Sequence, residues 1–259
     1  MRYLLIISLA LLAACSSTRL IDSETLYPYK IDTQAHDHKK LKRLIIANVN
    51  YIQNSPSYLQ QYETAVDSTV AEHLREQGYE VLTGNQFDSV WAAASDKYGG
   101  YYNQSNATYR RDRFNKILSD TLETLKKKYQ VDAVVFTDLL VRRVNFSGNN
   151  RHYAAWDGVK RKPRIKGTNG IPSDFNWAKS FRASSLSVII FRYDKEFIFH
   201  SVGGIEMIDN LNVISGTTPK ATRHNDLFSD KSALNEGIAL ALHPFIPMTD
   251  YPETEILSP

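Results

Sequence analysis

Apolar residues along positions 41–248 recur in two rhythms. Leu44-Ile45-Ile46-Ala47-Asn48-Val49 is a short continuous apolar run, the pattern of a buried strand. Ser55-Pro56-Ser57 then supplies helix-start chemistry, and Tyr58, Leu59, Tyr62, Ala65, Val66, Val70 and Leu74 follow at spacings of three and four. Gly78 closes that helix, and residues 79–82 predict a second short strand. A helix over 86–97 puts Phe87, Val90, Trp91 and Ala94 on one side, and the Gly-, Asn- and Ser-rich residues 99–106 read as a loop. The clearest helix follows, with Phe114, Ile117, Leu118, Leu122, Leu125 and Tyr129 at helical spacing. Residues 131–144 begin as an apolar strand and continue past Asp138 as an exposed one.

Beyond an irregular stretch, residues 186–193 and 196–206 read as two strands joined at Asp194-Lys195 by a tight hairpin. Gly203-Gly204 marks a bulge or the end of pairing. A last helix runs from about 229 to 242, with Leu234, Ile238, Ala241 and Leu242 inward and Pro244 and Pro247 beyond it. Strands alternating with helices and then a hairpin predict a single three-layer α/β domain over 41–248. Its mixed sheet of about five strands carries packed helices and ends in an antiparallel hairpin and a C-terminal helix. A chain of 259 residues buries a core of this kind without a disulfide or metal.

The N-terminus follows another rule. Arg2 precedes an apolar run over 3–12, shorter than the ~20 residues needed to span a bilayer but fitting an export signal. Leu12-Ala13-Ala14-Cys15 resembles the lipobox of bacterial lipoproteins. The resemblance implies removal of residues 1–14 and lipidation of Cys15, so that a membrane is a partner through the anchor. Two or more acyl chains hold stably where one is marginal. Ser16, in place of Asp, implies sorting to the outer membrane, with the domain facing the periplasm. Residues 15–40 are polar and lack a sustained period, so they are expected to form a lipidated tether, and the acidic residues 249–259 a loose tail. His36 and His38 have no third ligand nearby, so no metal or cofactor is expected.

Charge is segregated. Residues 142–182 hold ten basic residues against Asp157 and Asp174, a net +8 in a chain whose total is +3. Phe146, Tyr153, Trp156, Phe175, Trp177 and Phe181 are interleaved with them. Such a segment attracts anions, since Arg forks onto carboxylate or phosphate and aromatic rings supply contact area. Arg142, Arg143, Arg151, Trp156, Lys160, Arg161, Lys162, Arg164, Lys166 and Trp177 are therefore the candidate residues for an anion or partner. Export argues against nucleic acid and favours an envelope protein or an anionic envelope component. The alternative is a solvated loop whose Trp156 and Trp177 fold back into a small cluster. Asp138, near a strand end, is expected to pair with Arg142 and Arg143.

The succession of residues 43–49, a long helix, Gly78-Tyr79-Glu80-Val81-Leu82, a second long helix and Val131-Asp132-Ala133-Val134-Val135 is similar to a group of envelope proteins. These are the curli secretion lipoprotein, the lipoprotein activators of penicillin-binding proteins and the N-terminal domain of the Tol-system propeller protein. The likeness spans most of 41–245 in layout and short phrases. It implies a compact α/β domain used for binding or assembly and transfers no functional residue. Zinc-helix, phosphate-loop and nucleophile-elbow patterns are missing, so no catalytic residue is nominated. The expectation is a membrane-anchored, non-catalytic binding or assembly factor acting through 142–182. The alternatives are a homo-oligomeric subunit of an outer-membrane secretion complex and a cell-wall hydrolase.

Overall fold

Each helix is the amphipathic segment its spacing predicts, and the central strands of the main sheet include the apolar runs between them. The computed structural model describes residues 20–22, 28–32, 40–52, 55–103, 105, 108–146, 153–167, 175–177, 179–213 and 219–248. In chain order the elements are β1 (Leu20–Asp22), β2 (Tyr29–Asp32), β3 (Arg43–Ala47), α1 (Ser57–Glu76), β4 (Glu80–Leu82), α2 (Gly84–Tyr98), α3 (Arg111–Tyr129) and β5 (Ala133–Asn145). Then come β6 (Ala154–Trp156), β7 (Val159–Arg161), β8 (Arg164–Lys166), β9 (Ser180–Arg192), β10 (Phe197–Met207), β11 (Asp209–Asn212), β12 (Lys220–Arg223) and α4 (Lys231–Leu242).

The main sheet has the order β1-β2-β10-β9-β5-β3-β4. β3 pairs in parallel with β4 and β5, as crossovers through helices require, and β5-β9-β10-β2-β1 is antiparallel throughout. Alternation along the strands divides the core into two layers. Leu44, Ile46, Val135 and Leu139 pack with α1 residues Leu59, Val66, Val70 and Leu74 and α4 residues Leu234 and Ile238. On the other face Ile45, Val134 and Phe136 meet Phe87 of α2 and Phe114, Ile117 and Leu122 of α3. This is a three-layer α/β domain with a mixed sheet. Among the described residues no helix is long and apolar enough to cross a membrane.

Two expectations are corrected. The sheet has seven strands rather than about five, and two of them, β1 and β2, fall inside the stretch 15–40 expected to be a tether. Tyr29 and Ile31 are buried while Lys30 is exposed, a period-two pattern too short to stand out in sequence but sufficient to extend an existing sheet edge. The hairpin between β9 and β10 is not a two-residue turn. Lys195 N–H donates to the Arg192 carbonyl and Arg192 N–H to the Glu196 carbonyl, with Lys195 at φ 71°, a three-residue loop ending in a left-handed residue. The segment 142–182 begins and ends in strand, since β5 runs to Asn145 and β9 starts at Ser180. The two pair without a break from Ala133↔Arg192 to Asn145↔Ser180.

Gly203 and Gly204 lie within β10 where α4 crosses it. A Cβ on Gly203 would sit 2.0 Å from the Gly237 carbonyl oxygen, and one on Gly237 would sit 2.6 Å from that of Gly204. Strand and helix backbones therefore touch, which only glycine allows. The register shift of β10 against β9 follows directly, between Gly204 and Met207.

Candidate functional site: a tyrosine cleft at the strand ends

Chain connections reverse direction around β3 and β5, one leaving through α1 to β4 and the other continuing to β9. The carboxyl ends of parallel strands at such a point are where α/β sheets form ligand crevices. A cleft of about 400 Å³ opens there, within the range of ligand sites. Asn50, Tyr51 and Ile52 come from the loop after β3, Tyr101, Tyr102 and Tyr109 from the connection between α2 and α3, and Arg111, Phe114 and Asn115 from the first turns of α3.

The rings are fixed by contact. Gly99 and Gly100, at φ 71° and 69°, end α2 and turn the chain so that Tyr101 reaches Phe114 at 5.4 Å and Trp91 at 5.8 Å. Arg110 N–H donates to the Tyr101 carbonyl at 2.7 Å, and Tyr102 bridges Tyr109 across a small loop with ring centroids 5.8 Å apart. Tyr51 lies 5.1 Å from both Phe136 and Phe191. Burial raises the phenols of Tyr51, Tyr101 and Tyr109 above the ordinary tyrosine value, with Arg111 opposing this at Tyr51 and Tyr109, so all three are neutral donors at physiological pH. Ile52, Tyr102 and Tyr109 are all exposed at the rim. The lining offers flat apolar faces, phenol and amide hydrogen-bonding groups and the Arg111 guanidinium.

Two carboxylates near these strand ends are held above their ordinary pKa. Asp138 does not pair with Arg142 or Arg143; its two oxygens accept the backbone N–H groups of Tyr51 and Ile52, each at 3.0 Å. The reason is alternation along β5, which points Asp138 into the sheet interior under the 48–52 loop. Burial pushes its pKa up to about 6 against these hydrogen bonds. Asp67 of α1 accepts the Thr137 hydroxyl at 2.6 Å, and desolvation, with Glu63 and Asp138 nearby, lifts it to about 7.

A folded carboxyl titrating at about 7 rather than 3.8 binds protons that the unfolded chain has lost, so Asp67 costs stability above pH 7 and less as pH falls toward 4. Asp67→Asn, which can still accept the Thr137 hydroxyl, should raise unfolding free energy at pH 8 by about 1–3 kcal/mol. The gain should shrink to less than half of that by pH 5. Buried His243, pushed down to about 4, acts in the opposite sense by losing stability as pH falls through 6.5, but it is common to both proteins and cancels in the difference. Urea titrations of both proteins at the two pH values measure this; an equal gain at both would refute a charge effect.

The basic segment is arranged differently from its sequence reading. Arg142 donates to Asp157 at 2.7 Å, Arg161 to Glu236 at 2.7 Å, Arg164 to Glu206 at 2.6 Å, and Arg182 forks onto Asp209 at 2.6 and 3.0 Å. Trp156 is buried, and its indole N–H donates to the Ser184 carbonyl at 3.1 Å. It belongs to the main core rather than to a separate cluster, and it offers no surface to a partner. Trp177 is half-buried against Phe146 and Phe175. Arg161, Arg164 and Arg182 fasten the segment to the domain through acids elsewhere in the chain, which sequence spacing cannot reveal, while Arg142 pairs within the segment. Arg143, Lys160, Lys162 and Lys166 remain exposed, the third lying over the Tyr153 ring at 5.6 Å. Cys15 and Arg151 lie outside the described residues.

The tyrosine cleft was not singled out from sequence. Its signal was the pair Tyr101-Tyr102 in the loop before Tyr109-Arg110-Arg111, but only folding brings Tyr51 to them. Among the described residues no group of three His, Cys, Asp or Glu is placed to hold a metal. Compared with known proteins, the chain matches no family model and no curated sequence.

Proposed function

We propose that the protein is a lipid-anchored envelope factor, held through Cys15 at the periplasmic face of the outer membrane, that binds a segment of an envelope protein in its tyrosine cleft. The observation that carries this reading is the convergence of Tyr51, Tyr101, Tyr102, Tyr109 and Arg111 around one concave, pre-organised space. Tyrosine and arginine are the residues that dominate protein-binding energetics, because they bury large faces and keep a polar tip satisfied. Arg111 gives the cleft a preference for a carboxylate-bearing segment.

A photo-crosslinking residue at Tyr102 should capture one envelope protein in intact cells, and Arg111→Glu should reduce the capture about tenfold or more, as for loss of one charged anchor. Capture unchanged by Arg111→Glu would remove the cleft from the reading. A second contact is supported by the exposed side chains of Lys160, Lys162 and Lys166, which form no ion pair among the described residues. They suit an anionic envelope component and retain for part of 142–182 the role its charge suggests.

A further inference from the structure

The pairing registers place the first strand at one end of the sheet. Leu20 is level with Asp32, and Ile31 with Phe199, Ile190 and Val135, so β1 starts beside the beginning of β5 and runs parallel to it. Leu20 is only five residues after Cys15, a reach of at most about 18 Å even when fully extended. Asn145, where β5 leads into the basic segment, lies eleven residues further up that strand from Val134, roughly 36 Å away at strand rise. The anchor can therefore reach the end of the sheet where β1, β5 and β10 begin, and it cannot reach the other.

That near end has its own surface. The charges flanking the strand starts largely pair off, Arg43 with Glu80, Lys126 with Asp132 and Arg192 with Asp194, at 2.8–2.9 Å. Lys42 before β3, Lys128 in the last turn of α3 and Lys195 in the β9–β10 turn are exposed and form no ion pair among the described residues. Glu76 is a carboxylate in the same situation. The excess is positive, and lysines held within a Debye length of anionic lipid are attracted to it.

We infer that the end of the domain carrying Lys42, Lys128 and Lys195 rests on the anionic headgroups of the membrane that holds Cys15, while the basic segment is presented away from that membrane. The inference rests on the lipid anchor of the proposed function. It changes what Lys160, Lys162 and Lys166 can meet: their anion is not the anchoring bilayer but a component across from it.

The test uses the full, lipidated protein in vesicles of phosphatidylcholine and phosphatidylglycerol carrying a nitroxide on the headgroup. Because Cys15 is the sole cysteine and its thiol is consumed by the lipid, one introduced cysteine takes a fluorophore cleanly. A label at Lys127→Cys should be quenched several-fold more than one at Asn145→Cys. Adding Lys42→Glu, Lys128→Glu and Lys195→Glu to the first should cut its quenching at least by half. Equal quenching at 127 and 145, or no effect of the three reversals, overturns the inference. The mass of the N-terminal peptide separates the two readings. Unmodified Cys15 removes the anchor and the orientation together, whereas acylated Cys15 with equal quenching removes the orientation alone.

Discussion

Gly203→Val should unfold this protein or lower its melting temperature more than any other single apolar substitution in β10. The new Cβ would lie 2.0 Å from the Gly237 carbonyl oxygen and 2.7 Å from the Ala241 amide nitrogen. Both are backbone atoms of α4, so no side-chain rotation relieves the overlap. The helix must lift from the sheet, and Leu234, Ile238 and Ala241 leave the core with it. The expected loss exceeds ~3 kcal/mol, at or beyond the usual cost of overpacking. In a domain of this size that is roughly 6–12 °C in melting temperature. Gly237→Ala should be milder but clearly destabilising. Gly78→Ala provides the contrast, since nothing lies within 4 Å and only its φ of 87° resists a side chain. Its cost should be about 1 kcal/mol, the penalty of a left-handed residue alone. Thermal and urea unfolding of the three variants test the order, and a Gly203→Val protein as stable as Gly78→Ala would mean that α4 does not cross β10 at this spacing.

Glu206→Ala is the second large effect, and it decides what the basic segment is for. The Glu206 carboxylate is buried in β10, accepts the Arg164 guanidinium at 2.6 Å and also accepts the Phe228 backbone N–H. Burial raises its pKa even against these two partners. Removing it leaves a buried N–H without an acceptor and strips the carboxylate from an arginine that is only partly exposed. A cost of about 2–4 kcal/mol follows from the unsatisfied donor and the broken pair. Lys162→Ala, on the same segment but exposed, should change stability by no more than about 0.5 kcal/mol. If the two variants unfolded alike, Arg164 would not fasten the segment to the domain, and the division of the cations into structural and exposed sets would fail. Cellular capture at Tyr102 adds a separate readout, because the Lys162→Ala protein should retain it.

The same division explains why residues 142–182 were partly legible. A net +8 is visible in sequence, and attraction for anions follows from it. The anions that claim Arg142, Arg161, Arg164 and Arg182 are Asp157, Glu236, Glu206 and Asp209. Three of those lie more than 25 positions from their partners, so linear charge pattern could not pair them. The tyrosine cleft was hidden for a related reason. Tyr51 and Tyr101 are fifty residues apart, and Tyr51 is placed by the Asp138 carboxylate through backbone N–H groups that any sequence would supply.

What the sequence by itself determined is the layering. Spacings of three and four in 57–76 and 111–129 against short apolar runs at 43–47 and 133–136 leave one solution, helices on both faces of a mixed sheet, because each amphipathic face must be buried against another. What only tertiary structure decided is which short or polar segments join that frame. Tyr29–Asp32 becomes a strand because β10 offers an edge, and Leu20–Asp22 because β2 then offers the next, not because their own pattern demands it. That pairing sets β1 parallel to β5 at the edge of the sheet, and hydrogen bonds along an edge, rather than hydrophobic period, thereby fix at which end of the domain the first strand starts.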